Sequence, residues 1–142
     1  MTYSAEQRAT AIATIVAGLE KGTPMTVLCA GEGMPGYTTF WEWCQADESL
    51  SEDIARAREK GHDQIALDAL AIADEVTEQD TIETAHGPIP NKEWLMRSKL
   101  RVETRLKLLA KWDPKRYGEM IKHAGADGGP MALTVSNEDA GL

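Results

Sequence analysis

From Ser51 to Glu78 the chain has no proline, and the run IARAREKGHDQIALDALAIADEV is rich in alanine and straight-chain residues that lose little freedom in a helix. Ile54, Ile65, Ala69, Ile72 and Val76 trace an apolar stripe whose second half steps by 4, 3 and 4, the spacing of helices that pack along their length. A second long helix is predicted from Lys92 to Trp112, with Leu95, Ser98, Val102, Leu106, Leu109 and Trp112 along one side. Between them DTIETAHGPIPN, with Gly87, Pro88 and Pro90, cannot continue a helix and reads as a connecting loop. Two amphipathic helices joined this way make an antiparallel hairpin. A hairpin has one partner within its own chain, so its remaining apolar surface must meet another subunit or the rest of the molecule. Gly61 weakens the first helix by ~1 kcal/mol relative to alanine, so a bend or domain boundary is expected near residue 60.

Upstream lie three shorter helices. Ser4 with Gln7 forms a capping box, and Ile12, Ile15, Val16 and Leu19 recur at helical spacing until Gly22. Thr23-Pro24 is a second start signal, an N-cap followed by proline at the first helical position, and Met25, Val27 and Leu28 supply an apolar face up to Ala30. After Gly31, Gly33 and Pro35 a third helix runs from Tyr37 or Thr38 to Ala46, burying Phe40, Trp43 and Cys44 at i, i+3, i+4. A trihelical unit of this build is the frame of a helix-turn-helix, in which the last helix lays its outward side chains in the major groove of DNA. That outward face holds Thr38, Trp41, Glu42 and Gln45. Tyr37 and Thr39 stand near the helix start, where backbone N–H groups suit a phosphate.

Charge is divided unevenly along the 142 residues. Residues 1–60 carry 5 basic and 9 acidic side chains, 61–90 carry 0 and 7, 91–122 carry 10 and 4, and 123–142 carry 0 and 3, giving a net −8. An acidic stretch followed by a basic helix suggests two elements that neutralise each other, within a chain or between neighbouring chains; a basic lining for a channel is the rival reading. Arg101 and Arg105 are the cations to test. Cys29 and Cys44 form no metal-binding pattern and read as buried thiols. No phosphate loop, HExxH or nucleophile elbow is present, and His62, His86 and His123 have no ligand spacing, so no catalytic residue, metal site or cofactor is expected. No apolar run approaches ~18 residues, which argues against a membrane partner. The opening MTYSAEQRATAI lacks a secretory signal's basic start and apolar block, so a cytoplasmic location is expected.

Past the Asp113-Pro114 stop the tail changes character. Gly125, Gly128, Gly129 and Pro130 form a joint, after which Met131, Leu133 and Val135 alternate with polar or small residues. A lone strand needs a partner, which exchange within an oligomer supplies; a disordered tail is the alternative.

The runs GMPGYTTFWEW, ARAREK and, most specifically, KLRVETRLKLLAKWDPKRYGEM resemble the Sf6-like small subunits of tailed-bacteriophage terminases over nearly the whole chain. The resemblance implies a mainly α protein: a helix-turn-helix DNA-binding domain over 1–60, a central antiparallel helical hairpin for oligomerisation over 61–112, and a segment over 113–142 with a short β-strand that binds the large subunit. It implies selection of double-stranded viral DNA and initiation of genome packaging by a non-catalytic subunit that recruits the large ATPase and nuclease subunit. A homo-oligomeric ring of about eight to eleven copies is implied too, the kind of closed symmetry that repeated identical contacts generate. The expected location is the cytoplasm of the infected bacterium, and not the mature virion. On this reading Ile65, Ala69, Ile72, Val76, Leu95, Val102, Leu106, Leu109, Arg101 and Arg105 serve oligomerisation, and Met131, Leu133 and Val135 meet the large subunit.

One departure stands out. Glu42 occupies a position where such recognition helices often carry arginine, and Tyr37 one where lysine or another polar residue is usual. A carboxylate can accept a hydrogen bond from cytosine but repels phosphate. The DNA contact then leans on Arg8, Lys21, Arg56, Arg58 and Lys60. A dimeric helix-turn-helix transcriptional regulator is the alternative function, separable by particle mass and a two-fold site.

Overall fold

In the computed structural model, residues 2–118 and Gly129 are described. The described residues are helical apart from one small hairpin and the turns between elements. The elements are α1 (Ala5–Glu20), α2 (Met25–Cys29), α3 (Tyr37–Ala46), α4 (Glu48–Asp74), a 3-10 turn (Glu78–Asp80), β1 (Thr81–Thr84), β2 (Gly87–Pro90), α5 (Lys92–Trp112) and α6 (Pro114–Tyr117).

The predicted capping box opens α1: the Ser4 side chain accepts from the Gln7 N–H, and the Gln7 side chain accepts from the Ser4 N–H. Thr23 does not cap α2. Its own N–H is drawn to the Gly18 carbonyl at 3.0 Å, and Pro24 takes the cap position with no side-chain bond. Ile15, Leu19, Met25, Cys29, Phe40 and Cys44 form one core with Leu50, Ile54 and Ala57 of α4, so the first half of α4 is the fourth wall of the trihelical unit. Both cysteines are free and buried, and burial pushes each thiol up from its ordinary value.

α4 begins at Glu48, three residues before the predicted start, because Asp47 caps it by accepting from the Leu50 N–H at 3.2 Å. The helix passes Gly61 without interruption, so no break in the helix falls there. The glycine serves a close crossing instead: a Cβ on Gly61 would collide with the carbonyl oxygen of Leu19 at the end of α1 and lie 3.3 Å from the Gly22 Cα. Gly22 turns the chain there with φ +91°, a left-handed conformation that suits glycine.

α4 ends at Asp74, four residues short of the predicted Glu78. Thr77 starts a separate capping box with Asp80, which captures the backbone for the 3-10 turn. Val76 therefore falls outside the helix and is 89% exposed. The segment read as plain loop contains β1 and β2, paired antiparallel with Ile82 opposite Ile89 and Glu83 opposite Pro88. Gly87 makes the reversal with φ +105°, and the Thr84 hydroxyl donates to the Gly87 carbonyl at 2.6 Å. α5 spans the predicted residues, capped by Asn91, whose side chain accepts from the Trp94 N–H at 3.2 Å. It packs antiparallel on α4, with Ala69, Ile72 and the fully buried Leu109 in or beside the seam.

Candidate nucleic-acid interface and assembly surface

The two faces of α3 separate as their spacing demands. Phe40 and Cys44 are buried, while Thr38, Glu42 and Gln45 are exposed and Tyr37 and Trp41 are about half so, at 49% and 51%. Thr39 is half-buried. Trp43 lies on the inner flank, packed edge-on against Tyr3 at 5.4 Å and Phe40 at 6.0 Å. Gly36 precedes the helix, so no side chain caps its amino end, and that end stays available to an anion.

The five candidate cations do not gather around this face. Arg8 sits over the Trp43 ring at 4.7 Å, on the flank away from Trp41. Arg56 is paired with Asp53 one turn earlier in α4. Lys60 lies 3.6 Å from Glu20, and Lys21 follows the last turn of α1. Arg58 alone of the five joins the recognition face: it lines one crevice with Tyr37 and Trp41. A second cavity of about 330 Å³, where the trihelical unit meets the hairpin, is also lined by Tyr37 and Arg58, with His62, Ile65 and Trp112 beyond them. Among the described residues Arg58 forms no ion pair.

The hairpin residues divide into two groups. Ala69, Ile72 and Leu109 are buried within the single chain and Val102 is half-buried, while the half-buried Ile65 lies against Gly22 beyond the end of α1. Val76, Leu95, Leu106 and Arg101 remain exposed, and Arg105 is half-buried with its guanidinium donating to the Arg101 carbonyl at 3.1 Å. A further set of exposed apolar residues lies off the predicted stripes: Leu67 and Leu70 on α4, and Met96, Leu100 and Leu108 on α5. Their only signal in the sequence is i, i+3 and i, i+4 recurrence around the helix from the main stripe. Met131, Leu133 and Val135 lie outside the described residues.

Among the described residues the cations of α5 do not pair with the acidic stretch. Arg97, Arg101, Arg105, Lys107 and Lys111 form no ion pair, and Lys99 reaches only Glu103 of its own helix at 3.8 Å. The basic residue that crosses to α4 is Arg116. It bonds Asp63 and the Glu59 carbonyl while holding Asp113 at 3.2 Å. Asp113 in turn meets His62 Nδ1 at 3.1 Å, and the Tyr117 hydroxyl donates to Asp63. The DPKRYG run is thus a latch at the open end of the hairpin.

The Tyr117 hydrogen bond, outweighing partial desolvation and assisted by the Arg116 guanidinium, holds the Asp63 carboxyl below its ordinary range. A carboxylate with a depressed folded-state pKa contributes stability above its unfolded value, and that contribution disappears as pH falls through the folded value. The latch is expected to hold at neutral pH and release only in acid, below the ordinary carboxylate range of about 4. Tyr117→Phe should return the Asp63 titration, followed by carboxyl NMR, toward that range; an unmoved midpoint would mean that Arg116 alone sets it.

These features define a class: a small helix-turn-helix protein whose trihelical module is carried on a helical hairpin by one continuous helix. No curated protein sequence matches the chain. Three crystal structures of variants of the terminase small subunit gp1 of the bacterial virus Sf6 do match its fold, each at 27% identity over 95% of this chain, covering 98%, 93% and 93% of theirs with TM-scores of 0.57, 0.56 and 0.56. Residues 7–124 match the family model described as Bacteriophage Sf6, terminase small subunit-like, and the chain belongs to that family.

Proposed function

We propose that this terminase small subunit recognises double-stranded viral DNA as a homo-oligomeric ring and delivers it to the large ATPase and nuclease subunit, taking no part in the chemistry itself. The observation that carries the reading is the outer face of α3, exposed from Tyr37 to Gln45, with an uncapped amino end and the unpaired Arg58 beside Tyr37 and Trp41. Thr38, Trp41, Glu42 and Gln45 face the groove, the first-turn N–H groups and Thr39 take a phosphate, and Arg58 grips the backbone next to them. Arg8, Arg56 and Lys60, already engaged, contribute through the general field. The exposed apolar residues of the hairpin supply the surface for neighbouring copies, and Met131, Leu133 and Val135 engage the large subunit.

The test is duplex affinity for Trp41→Ala and Arg58→Gln at two salt concentrations, with particle mass and helical content monitored. Each variant is expected to weaken binding roughly tenfold with assembly unchanged, and Arg58→Gln to flatten the salt dependence. Folded, assembled variants that bind DNA like the parent would reject the α3 face as the reading surface.

A further inference from the structure

The outer face of α5 and the tip of the hairpin are both unsatisfied within the chain, and they complement each other. Met96, Leu100 and Leu108 are exposed on α5, two of them at 66% and 61%. They are interleaved with Arg97, Arg101 and Lys107, which have no ion-pair partner among the described residues. At ~100° per residue Met96, Arg97, Leu100 and Lys107 lie about 120–180° round the helix from Leu109, and Leu108 and Arg101 about 80–100°, so none of them points into the α4 seam. The tip carries the opposite pattern. Val76, Ile82 and Ile89 are exposed beside Glu75, Glu78 and Glu83, none of which is ion-paired among the described residues. Residues 74–83 contain 5 acidic and no basic side chains, and residues 92–111 contain 7 basic and 2 acidic. A chain cannot join its own two surfaces. The tip is anchored at the start of α5 by Trp94, which donates to Asp80 at 3.0 Å, whereas Arg101 lies about 11 Å beyond Trp94 along the helix axis and Lys107 about 20 Å.

We infer that the acidic, apolar tip of one copy docks on the basic, apolar outer face of α5 in the next copy. This deepens the ring reading and rests on it. Repeated head to tail, each docking leaves a free tip at one end and a free α5 face at the other, and a rotation that closes makes a ring. A second copy explains this face better than DNA does. Phosphates would satisfy the cations and leave three aliphatic side chains in water, whereas the tip covers both kinds of group.

The experiment compares assembly of the full-length chain by light scattering across concentration, at fixed salt, for four proteins. These are the parent, the tip pair Glu78→Lys with Glu83→Lys, the helix pair Arg101→Glu with Lys107→Glu, and all four changes together. Each pair alone is expected to raise the concentration for half-assembly at least about tenfold, since like charges then face each other across the contact. The four-change protein should recover to within about threefold of the parent, a rescue that misfolding does not produce. Pairs that leave an assembling parent unaffected, or a combination no better than its worse pair, overturn the docking and leave the ring intact as a reading. A helix pair that keeps its ring but loses DNA assigns the face to DNA and overturns the docking as well. A parent that stays single at every concentration defeats the ring reading itself.

Discussion

Single copies are expected to hold duplex DNA about 10² to 10⁴ times more weakly than the assembled particle, because linked modules turn each later contact into an intramolecular one. The reason lies in how little charge one module has to offer. Residues 1–60 carry 5 basic against 9 acidic side chains, and Arg56 and Lys60 are already paired with Asp53 and Glu20. A module neutralising so few phosphates binds no more tightly than the ~10⁻⁴ to 10⁻⁶ M of non-specific contacts. Leu95→Asp with Leu106→Asp is the variant to use: both side chains are about half exposed, whereas Leu109 is fully buried and is left unchanged. Fluorescence anisotropy on a labelled duplex, read alongside mass in solution, checks the result. A single-copy form that matched the parent would show that one module suffices.

Gly61→Ala is expected to destabilise the fold by about 2 kcal/mol or more, against a propensity scale that credits alanine with ~1 kcal/mol over glycine in a helix. The sign reverses because the added methyl would meet the Leu19 carbonyl, which is backbone and cannot rotate away, with Gly22 directly behind it. The crossing holds the trihelical module against α4, so the loss falls on the joint between module and hairpin. The urea midpoint should drop with its slope unchanged. A variant more stable than the parent would mean that α1 and α4 can separate at little cost.

The same residue shows where reading the chain alone misleads. As a letter in an alanine-rich run, Gly61 signifies only a weak point, and a bend is the natural expectation. In the structure it is a place where two backbones cross closely, a fact set by the path of α1 some 40 residues earlier in the chain. Val76 errs for a related reason. Its 4-3-4 spacing continues the stripe, but the local bonds between Thr77 and Asp80 end the helix first. Ile82 and Ile89 flank a loop rich in proline and glycine, and nothing in one strand alone announces its pairing with the other. Within the candidate site, the split of α3 into Phe40 and Cys44 inside and Trp41 and Gln45 outside was legible, since a fixed 3.6-residue period decides it.

Periodicity and caps determined the elements: a trihelical unit opened by Ser4, a third helix from Tyr37, a basic helix from Lys92 to Trp112, and an antiparallel hairpin between two long helices. These depend on interactions within a few residues, which adjacent letters encode. Packing in three dimensions decided which of those residues are spent inside the molecule and which are left over. It buried Ala69, Ile72 and Leu109, set Arg8 on Trp43, placed Arg58 beside Trp41, folded DPKRYG into a latch on Asp63, and left Arg97, Arg101 and Lys107 of α5 without an acid partner among the described residues. Contacts of that kind join residues dozens of positions apart, and their geometry exists only once the helices have crossed.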